Sequence, residues 1–169
     1  MAEEFFVDPN LSDEEKYQLV FQYLDGLIQK CDPKITALSN FCALLKQTFS
    51  KISWVGFYFK IEDALYLGPF QGKVACSQIK IGQGVCGTAA AKNETIVVPD
   101  VSKFAGHIAC DGGSKSEIVI PFRVNGELFG VLDLDSYELA AFNEIDRKFL
   151  EKLVNFIDKK IDLSYYILS

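Results

Sequence analysis

The sequence predicts an α+β fold, in which a central antiparallel sheet carries N- and C-terminal helices on one face and a ligand pocket on the other. Helical periodicity of apolar residues is confined to the two ends of the chain, whereas the middle holds short β-branched and aromatic segments. Asn125-Gly126 between two such segments is typical of a tight hairpin, which implies antiparallel pairing. Helices grouped outside a run of hairpin-linked strands distinguish this class from alternating α/β folds. We expect residues 1–169 to form a single domain, because that length is ordinary for one.

Two helices are expected before the first strand, preceded by a loose leader. Ser12 and Glu15 have the spacing of a capping box, and apolar residues recur at helical spacing from there to residue 28. Asp32-Pro33 is expected to end this helix and begin the second, with Asp32 as the N-cap and Pro33 at the first helical position. A further helix, capped by Asn143, is expected to close the chain.

The segment between these helices is expected to form strands joined by turns. Its β-branched and aromatic runs are too short for helices, and the alanines after residue 85 favour one short helix. Residues 100–115 contain three glycines and no clear period, so we expect a long loop there, and such loops in compact domains usually carry function. The expected strands are 54–59, 64–67, 76–81, 95–98, 118–124 and 127–135, with the short helix at 85–92.

Charge and composition exclude several classes of protein. The chain has 23 acidic and 17 basic side chains, a formal net charge of −6, which disfavours a nucleic-acid partner. No apolar run is long enough to span a bilayer, and the acidic start lacks the basic region of a signal peptide, so we expect no membrane partner and a cytoplasmic location. Five cysteines, an odd count, argue against a structural disulfide framework, and a single histidine excludes metal sites built on several imidazoles.

Residues 82–87 match the dinucleotide-binding pattern G-x-G-x-x-G. The helix expected after them has only about two turns, too short for a crossover onto a parallel strand. Asp100 also follows Gly87 by only thirteen residues, short of the usual spacing of the ribose-binding acid. We therefore interpret the glycines as a tight turn at the start of a helix.

Three of the five cysteines, Cys76, Cys86 and Cys110, lie in Gly-rich or polar surroundings in the middle third of the chain. The other two, Cys31 and Cys42, fall in predicted helices and are interpreted as small buried hydrophobes. None of the central three belongs to a C-x-x-C pair.

The central cysteines allow two kinds of chemistry. Together with His107 they could form a zinc site with three sulfur ligands and one nitrogen ligand, but their irregular spacing makes this the weaker hypothesis. Thiol redox chemistry fits better: one cysteine attacks, becomes a sulfenic acid, and is resolved by a second as a disulfide.

Two acids near the end of the last strand are unusual in an apolar run. Asp133 and Asp135 are two residues apart and so share a face, either at a solvent-facing strand end or in a pocket. A two-residue hairpin loop would pair residue 118 with Asp133 and turn Glu117 to the opposite face. A three-residue loop with a bulge at Gly126 would pair Glu117 with Asp133 and bring the three acids together. We expect the bulge.

Trp54 and Tyr58 are four residues apart on a predicted strand and share a face. Aromatic residues in such positions are usually plain core, but these two could also form the wall of a small apolar subsite.

Six segments, read together, resemble the free methionine-(R)-sulfoxide reductases, which are stand-alone GAF domains. The resemblance runs from about residue 53 to residue 136, and the three cysteine contexts are its specific part, because general GAF domains lack them. The segments are Ser-Trp-Val-Gly-Phe-Tyr at 53–58, Leu-Gly-Pro-Phe-Gln-Gly-Lys-Val-Ala-Cys at 67–76, Gly-Val-Cys-Gly-Thr-Ala at 84–89, Gly-His-Ile-Ala-Cys-Asp at 106–111, Ser-Glu-Ile-Val-Ile-Pro at 116–121 and Gly-Val-Leu-Asp-Leu-Asp-Ser at 130–136.

This resemblance implies a GAF-like sheet of six antiparallel strands and the reduction of free methionine-(R)-sulfoxide to methionine. It implies thioredoxin as the electron donor, no cofactor and no metal, and it leaves a homodimer open. The residues that it implies are Cys110 as nucleophile, Cys76 as resolving cysteine, Cys86 with a supporting or alternative disulfide role, Glu117, Asp133 and Asp135 as pocket acids, and Trp54 and Tyr58 as pocket aromatics.

The chemistry of a sulfoxide accounts for these residue types. A thiolate that attacks the sulfur needs an acid to protonate the oxygen, a role expected of Glu117 and Asp135. A further carboxylate, Asp133, can hold the ammonium group of a free amino acid, and Trp54 can contact its methyl group. Two other hypotheses remain: a non-catalytic GAF module that senses a small molecule or redox state, and a zinc-stabilised interaction protein.

Overall fold

A computed structural model describes residues 5–28, 33–108 and 110–160. Within these residues no helix is both long and apolar enough to cross a membrane. The elements in chain order are α1 (Asp13–Leu27), α2 (Lys34–Thr48), β1 (Trp54–Ile61), β2 (Ala64–Gln71), β3 (Gln78–Lys80), α3 (Gly84–Lys92), β4 (Ile96–Val98), a 3₁₀ turn (Val101–Lys103), β5 (Ser116–Val124), β6 (Glu127–Ser136) and α4 (Glu144–Lys160).

The six strands that the structure describes form one sheet in the order β3-β2-β1-β6-β5-β4, and every neighbouring pair is antiparallel. The predicted α+β class is confirmed. An all-antiparallel sheet has no crossover of the kind that the dinucleotide pattern requires, so the glycines before α3 do not belong to a βαβ unit.

The sheet has two covered faces with different contents. On one face, alternate residues such as Val55, Phe57 and Phe59 pack with buried residues of α1, α2 and α4 in a large apolar cluster. On the other face, Trp54 and Tyr58 pack with α3 and with residues around the 3₁₀ turn. The terminal helices therefore cover one face, as predicted, and leave the second to α3 and the loop that follows β4.

The helix ends follow the predicted capping with one difference. Ser12 accepts a hydrogen bond from the backbone of Glu15 and donates its own backbone N–H to the Glu15 carboxylate, which completes the capping box. Pro33 is the N-cap of α2 rather than its first helical residue, because its ψ of 133° is extended. Asp32 and Cys31 lie outside the described residues, whereas Cys42 is fully buried in α2 as predicted. Asn143 caps α4 by accepting the Ile145 N–H.

The hairpin between β5 and β6 differs from the prediction in its register, but the acidic side chains point to the predicted face of the sheet. Its loop has two residues, not three: Val124 pairs with Glu127 across Asn125 and Gly126, and both loop residues have positive φ. The irregularity lies further along, where Arg123 pairs with Leu128 and Phe122 pairs with Gly130, leaving an extra residue in β6. Because this extra residue restores the alternation, Glu117 pairs with Asp135 rather than with Asp133.

All three acids consequently share one face of the sheet, as predicted. The predicted pairing of Glu117 with Asp133 and the predicted bulge at Gly126 are wrong. The Asn-Gly sequence fits a two-residue turn so well that the extra residue is accommodated in the strand instead.

Two strand limits were also predicted inaccurately. β2 continues to Gln71, and β3 covers only Gln78–Lys80, so Cys76 lies in the connection between them rather than in a strand. The chain leaves β2 through Gly72, which has a φ of 141° that suits glycine. This places Cys76 in a loop over the second face.

Candidate active site

The second face of the sheet contains a small, partly open cavity beneath the loop that follows β4. Its volume is about 30 Å³, which is room for about two water molecules. Seven of the eight predicted site residues line it, namely Trp54, Tyr58, Cys86, Cys110, Glu117, Asp133 and Asp135.

The eighth residue, Cys76, is joined to Cys110 by a disulfide bond, with a Cα–Cα distance of 5.5 Å. The bond links the connection between β2 and β3 to the long loop between β4 and β5, across 34 residues of sequence. Cys86 is a free thiol, buried at the start of α3. The pair that the resemblance implied is therefore in place above the cavity.

The two aromatic residues hold the loop that carries Cys76. Trp54 donates its indole N–H to the carbonyl oxygen of Lys73 at 3.0 Å, and Tyr58 donates its hydroxyl to the carbonyl oxygen of Cys76 at 3.0 Å. Gly72 is required here, because a Cβ atom at that position would overlap the Trp54 ring. Both aromatics line the cavity and also fix the backbone next to the disulfide, a second role that was not predicted from their spacing.

The three acids lie on the central strands under the disulfide. Glu117 and Asp133 are each only 6% exposed, and Asp135 is half-buried. Asp135 pairs with Glu117 across β5 and with Trp54 across β1. The Oδ1 atom of Asp133 is buried and has no hydrogen-bond partner among the described residues, so it is available to a donor that enters the cavity.

Burial makes these carboxyl groups hold their protons. It raises the pKa of Glu117 well above its ordinary range, and the charge of Asp135 adds to this effect. Burial and the charge of Glu117 raise the pKa of Asp133 in the same way. Burial raises the pKa of Asp135 to about 6. Three acids crowded in one small pocket do not all ionise together, so the site holds exchangeable protons near neutral pH.

The Cys86 thiol is part of the same cluster. Its Sγ atom lies 3.9 Å from Oε1 of Glu117. Burial raises the pKa of Cys86 well above its ordinary value, and the charges of Asp133 and Glu117 raise it further. Cys86 is therefore a thiol, not a thiolate, at neutral pH.

His107 also reaches the acid cluster, from the long loop. Its Nε2 atom is 3.6 Å from Oε2 of Glu117. The sequence placed this residue in a functional loop, but its position opposite a buried acid depends on the path of that loop.

The cluster also has atoms of the kind that bind metals. Cys86 Sγ and carboxylate oxygens of Glu117 and Asp133 lie within 4.8 Å of one another. Because all three groups have raised pKa values, a metal ion would have to displace several protons to bind. We interpret the cluster as a set of proton donors. The hypothetical zinc site that included Cys76 and Cys110 is not assembled, since those sulfurs are bonded to each other.

Comparison with known proteins fits this geometry. The GAF domain family model matches residues 33–161, a range that contains all eight predicted site residues. The chain is 45% identical over 158 residues to the free methionine-R-sulfoxide reductase of Saccharomyces cerevisiae, covering 89% of this chain and 88% of the yeast protein. It is 46% identical over 132 residues to the Escherichia coli protein of the same name, covering 78% and 80%.

The chain belongs to the free methionine-R-sulfoxide reductase family of GAF domains. Solved structures of the family agree with it in three dimensions. The Neisseria meningitidis enzyme in complex with its substrate has a TM-score of 0.84 at 40% identity, covering 92% of this chain and 94% of that one. The reduced form of the Staphylococcus aureus enzyme has a TM-score of 0.83 at 44% identity, covering 89% and 96%.

The residues around the cavity include two polar ones that were not among the predicted site residues. Asp111, directly after Cys110, and Ser114 also line it, and neither was predicted as a site residue. Asp111 is part of the Gly-His-Ile-Ala-Cys-Asp segment. The sequence signal for it was therefore present, but its contacts depend on how two loops meet.

Proposed function

We propose that this protein reduces free methionine-(R)-sulfoxide to methionine, with Cys110 as the attacking thiol and Cys76 as the thiol that resolves the oxidised product. The observation that carries the proposal is a cysteine pair held over three carboxyl groups, two of them buried and one half-buried, with raised pKa values. Relatives named free methionine-R-sulfoxide reductase, similar over most of the chain, support the substrate class.

The first step transfers oxygen from the sulfoxide to Cys110. The thiolate attacks the sulfoxide sulfur, the sulfoxide oxygen takes a proton, and the S–O bond breaks as the oxygen moves to the cysteine. Methionine leaves as a thioether, reduced by two electrons, and Cys110 becomes a sulfenic acid, oxidised by two. Protonation of the sulfoxide oxygen is the energetically demanding part of this step, because negative charge builds on that oxygen in a buried site.

Asp135 and Glu117 are the proposed proton donors. The pKa of Asp135, about 6, is suited to an acid that must be protonated in part near neutral pH. Glu117, whose pKa is raised further, remains a neutral carboxylic acid that can donate a hydrogen bond to the oxygen.

Asp133 is the proposed acceptor for the substrate ammonium group. Its unpartnered Oδ1 atom gains a charged donor when a free amino acid binds, and the ammonium charge favours release of the proton that Asp133 otherwise holds. A peptide-bound methionine sulfoxide has a neutral amide at this position, so it cannot make the same interaction. Trp54 and Tyr58 supply the apolar wall for the S-methyl group.

Cys86 is proposed to support this chemistry rather than to start it. A nucleophile must be a thiolate, and the raised pKa of Cys86 keeps its proton in place. As a neutral thiol it contributes to the hydrogen-bonding of Glu117.

The cycle is closed by the two loop cysteines and an external dithiol, proposed to be thioredoxin. The disulfide form corresponds to the state after product release, because Cys110 is already oxidised and bonded to Cys76. Reduction by a dithiol frees the long loop to admit substrate. A reducing cytoplasmic location, predicted from the sequence, fits this requirement.

The test is thioredoxin-coupled consumption of NADPH with each epimer of free methionine sulfoxide. We expect turnover of the R epimer, and almost none of the S epimer or of an N-acetylated substrate, which lacks the ammonium charge. Equal turnover of both epimers would contradict the proposal, because the pocket would then not fix the configuration at sulfur. Binding of the R epimer without any methionine product would instead favour the non-catalytic sensor.

A single-turnover experiment separates the two thiols. Cys76→Ser is expected to form one equivalent of methionine per protein and then stall as a sulfenic acid that thioredoxin cannot recycle. Full multiple turnover by this variant would assign the resolving role to another cysteine, with Cys86 the nearest candidate.

A further inference from the structure

We propose that Tyr137, acting through Asp111, is a positioning residue that brings Cys110 to Cys76 for disulfide formation. The inference rests on the proposed function of the two cysteines and concerns the second step of the cycle rather than the reduction of the sulfoxide. Three side chains form what we call the loop clamp: Lys73 on the Cys76 loop, Asp111 next to Cys110, and Tyr137 beyond the end of β6.

Tyr137 makes the strongest contact of the loop clamp. Its hydroxyl donates to Oδ2 of Asp111 at 2.6 Å. The other carboxylate oxygen of Asp111 accepts the backbone N–H of Gly113 at 3.0 Å. The hydrogen bond from Tyr137 lowers the pKa of Asp111, so the acceptor is an ionised carboxylate. Hydrogen bonds to charged acceptors are about twice as strong as neutral ones.

The base of the clamp belongs to the rigid part of the fold. Tyr137 follows Ser136, the last residue of β6, which pairs with Ser116. The backbone there is held on both sides: Lys115 donates its N–H to the carbonyl of Ser136, and the Ser116 hydroxyl donates to the carbonyl of Glu138. Tyr137 therefore connects the glycine-bearing loop that carries Cys110 to the central sheet.

The Tyr137 ring also packs directly on the loop. A Cβ atom added at Gly113 would lie 3.0 Å from the ring, which is closer than side chains normally approach. Glycine at this position thus allows the loop to rest on the tyrosine. A side chain at position 113 would press against the Tyr137 ring, so the contact favours glycine there.

Lys73 links the clamp to the other loop. Its Nζ atom lies 3.4 Å from Oδ2 of Asp111 and 5.0 Å from the centre of the Tyr137 ring. The backbone carbonyl of Lys73, which lies three residues before Cys76, accepts the hydrogen bond from Trp54. Since the Lys73 side chain is 64% exposed, its ion pair is screened by solvent and is expected to contribute less than the tyrosine.

The step that the clamp serves is the closing of the S–S bond. The Cys76 thiolate attacks the sulfur of the Cys110 sulfenic acid, an S–S bond forms, and the S–O bond breaks. The oxygen leaves as water after taking a proton, and no further oxidant is needed. The rate of this step depends on how often the two loops meet in the correct geometry, which is what the clamp controls.

The variant that tests the inference is Tyr137→Phe, which removes one hydroxyl and keeps the ring. We expect the rate of disulfide formation after a single turnover to fall about tenfold, so that the sulfenic acid becomes long-lived and can be trapped with dimedone. The rate of methionine formation in the same experiment is expected to be unchanged. The disulfide is expected to become easier to reduce by about tenfold, or about 30 mV in reduction potential.

Matched variants separate positioning from general effects. Tyr66 on β2 is the matched control, because it is 37% exposed against 40% for Tyr137 and its hydroxyl also makes a hydrogen bond. Tyr66→Phe is expected to change neither the rate of disulfide formation nor the reduction potential. In an Asp111→Asn background, Tyr137→Phe is expected to have little additional effect, because both changes break one interaction. Lys73→Met is expected to show a smaller, salt-dependent form of the same defect.

The outcomes are distinguishable from failure of the proposed function. The reduction potential is measured against glutathione without any methionine sulfoxide, so it tests the clamp even if the wild type forms no methionine. An unchanged potential together with unchanged disulfide formation in Tyr137→Phe would overturn the inference. Equal slowing of methionine formation and disulfide formation would overturn it as well, because the tyrosine would then serve the loop in general.

Discussion

The two faces of the central sheet are built from alternate residues of the same strands, yet they do opposite things. In β1, Val55, Phe57 and Phe59 point to the terminal helices and pack in the large apolar cluster. The residues of β1 that alternate with them include Trp54 and Tyr58, which meet acids, a thiol and a disulfide. One face holds the chain together, and the other holds groups that would be more stable in water.

The two faces contribute to the stability of the fold with opposite signs. Burying apolar side chains on the helix-packed face stabilises the fold at roughly 25 cal/mol per Å² of area removed from water. Burying three carboxyl groups on the pocket face destabilises it, since their raised pKa values record the cost of ionising them there. Variants on the two faces are therefore expected to separate stability from activity.

The largest effect is expected from two cysteines, one on each side of the sheet. Cys110→Ser is expected to abolish methionine formation, because a hydroxyl cannot replace the attacking thiolate. Cys42→Ser, in the fully buried interior of α2, is expected to keep full activity and to lower the free energy of unfolding by about 1–3 kcal/mol. Single-turnover product analysis and chemical denaturation measure the two effects. Product formation by Cys110→Ser would reassign the nucleophile.

The next effect concerns the proton donor. Asp135→Asn is expected to slow methionine formation by roughly 10²–10⁴-fold, the usual contribution of a general acid. Asp135 must be protonated to act, and burial raises its pKa to about 6, so the wild-type rate constant is expected to lose this contribution as pH rises through 6. The variant is expected to lack that dependence. The exposed Asp63 offers the control, since Asp63→Asn should leave the single-turnover pH profile as it is.

A substitution on the helix-packed face is expected to give the reverse pattern. Phe57 is fully buried and its ring lies 5.5–5.6 Å from those of Phe41 and Phe122. Phe57→Ala is expected to lower the free energy of unfolding by about 3–5 kcal/mol. Activity per folded molecule, measured below the new melting temperature, is expected to stay near the wild-type value. A loss of kcat in the folded variant would show that the two faces are coupled more closely than their contacts indicate.

The ammonium site is expected to show a mixed effect. Asp133→Asn should raise KM about tenfold or more and change kcat less, because an amide, unlike the carboxyl group, cannot ionise to pair with the substrate ammonium group. The pKa of Asp133 is raised in the folded state, so the folded protein binds this proton more tightly than the unfolded chain does. Stability is then lost as pH rises above the unfolded pKa of about 3.9, and the asparagine variant is expected to be more stable than wild type at pH 7. A kcat defect with an unchanged KM would exchange the roles of Asp133 and Asp135.

Periodicity was sufficient to predict the helix-packed face. The capping box at Ser12, the apolar stripes and the run from residue 54 to 59 each carry a local signal, and local signals survive in the fold. The pocket face was predictable only in its chemistry. That two acids on one strand share a face follows from the strand itself, but their relation to Glu117 depends on the hairpin register.

The register could not be read from the sequence, because two locally equivalent solutions exist. An extra residue in the loop and an extra residue in the strand give the same alternation, and the structure places the extra residue in β6. The loop clamp could not be predicted from the sequence for a similar reason. Lys73, Asp111 and Tyr137 are far apart in the chain and meet through two irregular loops.

The smallest effect, and the one that tests this account of the register, is expected at the hairpin. Gly126 has a φ of 83°, and nothing lies within 4 Å of a Cβ atom added there, so Gly126→Ala introduces backbone strain alone. We expect a loss of about 1 kcal/mol in the free energy of unfolding. Gly26→Ala is the matched change in α1, where φ is not positive; it should instead raise stability by up to about 1 kcal/mol.

Neither glycine variant is expected to change the single-turnover rate. The facing of Glu117, Asp133 and Asp135 is fixed by the extra residue between Leu128 and Gly130, several residues away from the loop. If the loop set the register instead, strain at Gly126 would move all three acids at once, and methionine formation would fall far more than stability. A small loss of stability with full activity would therefore show that the bulge in β6, and not the turn, sets the face of the sheet to which the three acids point.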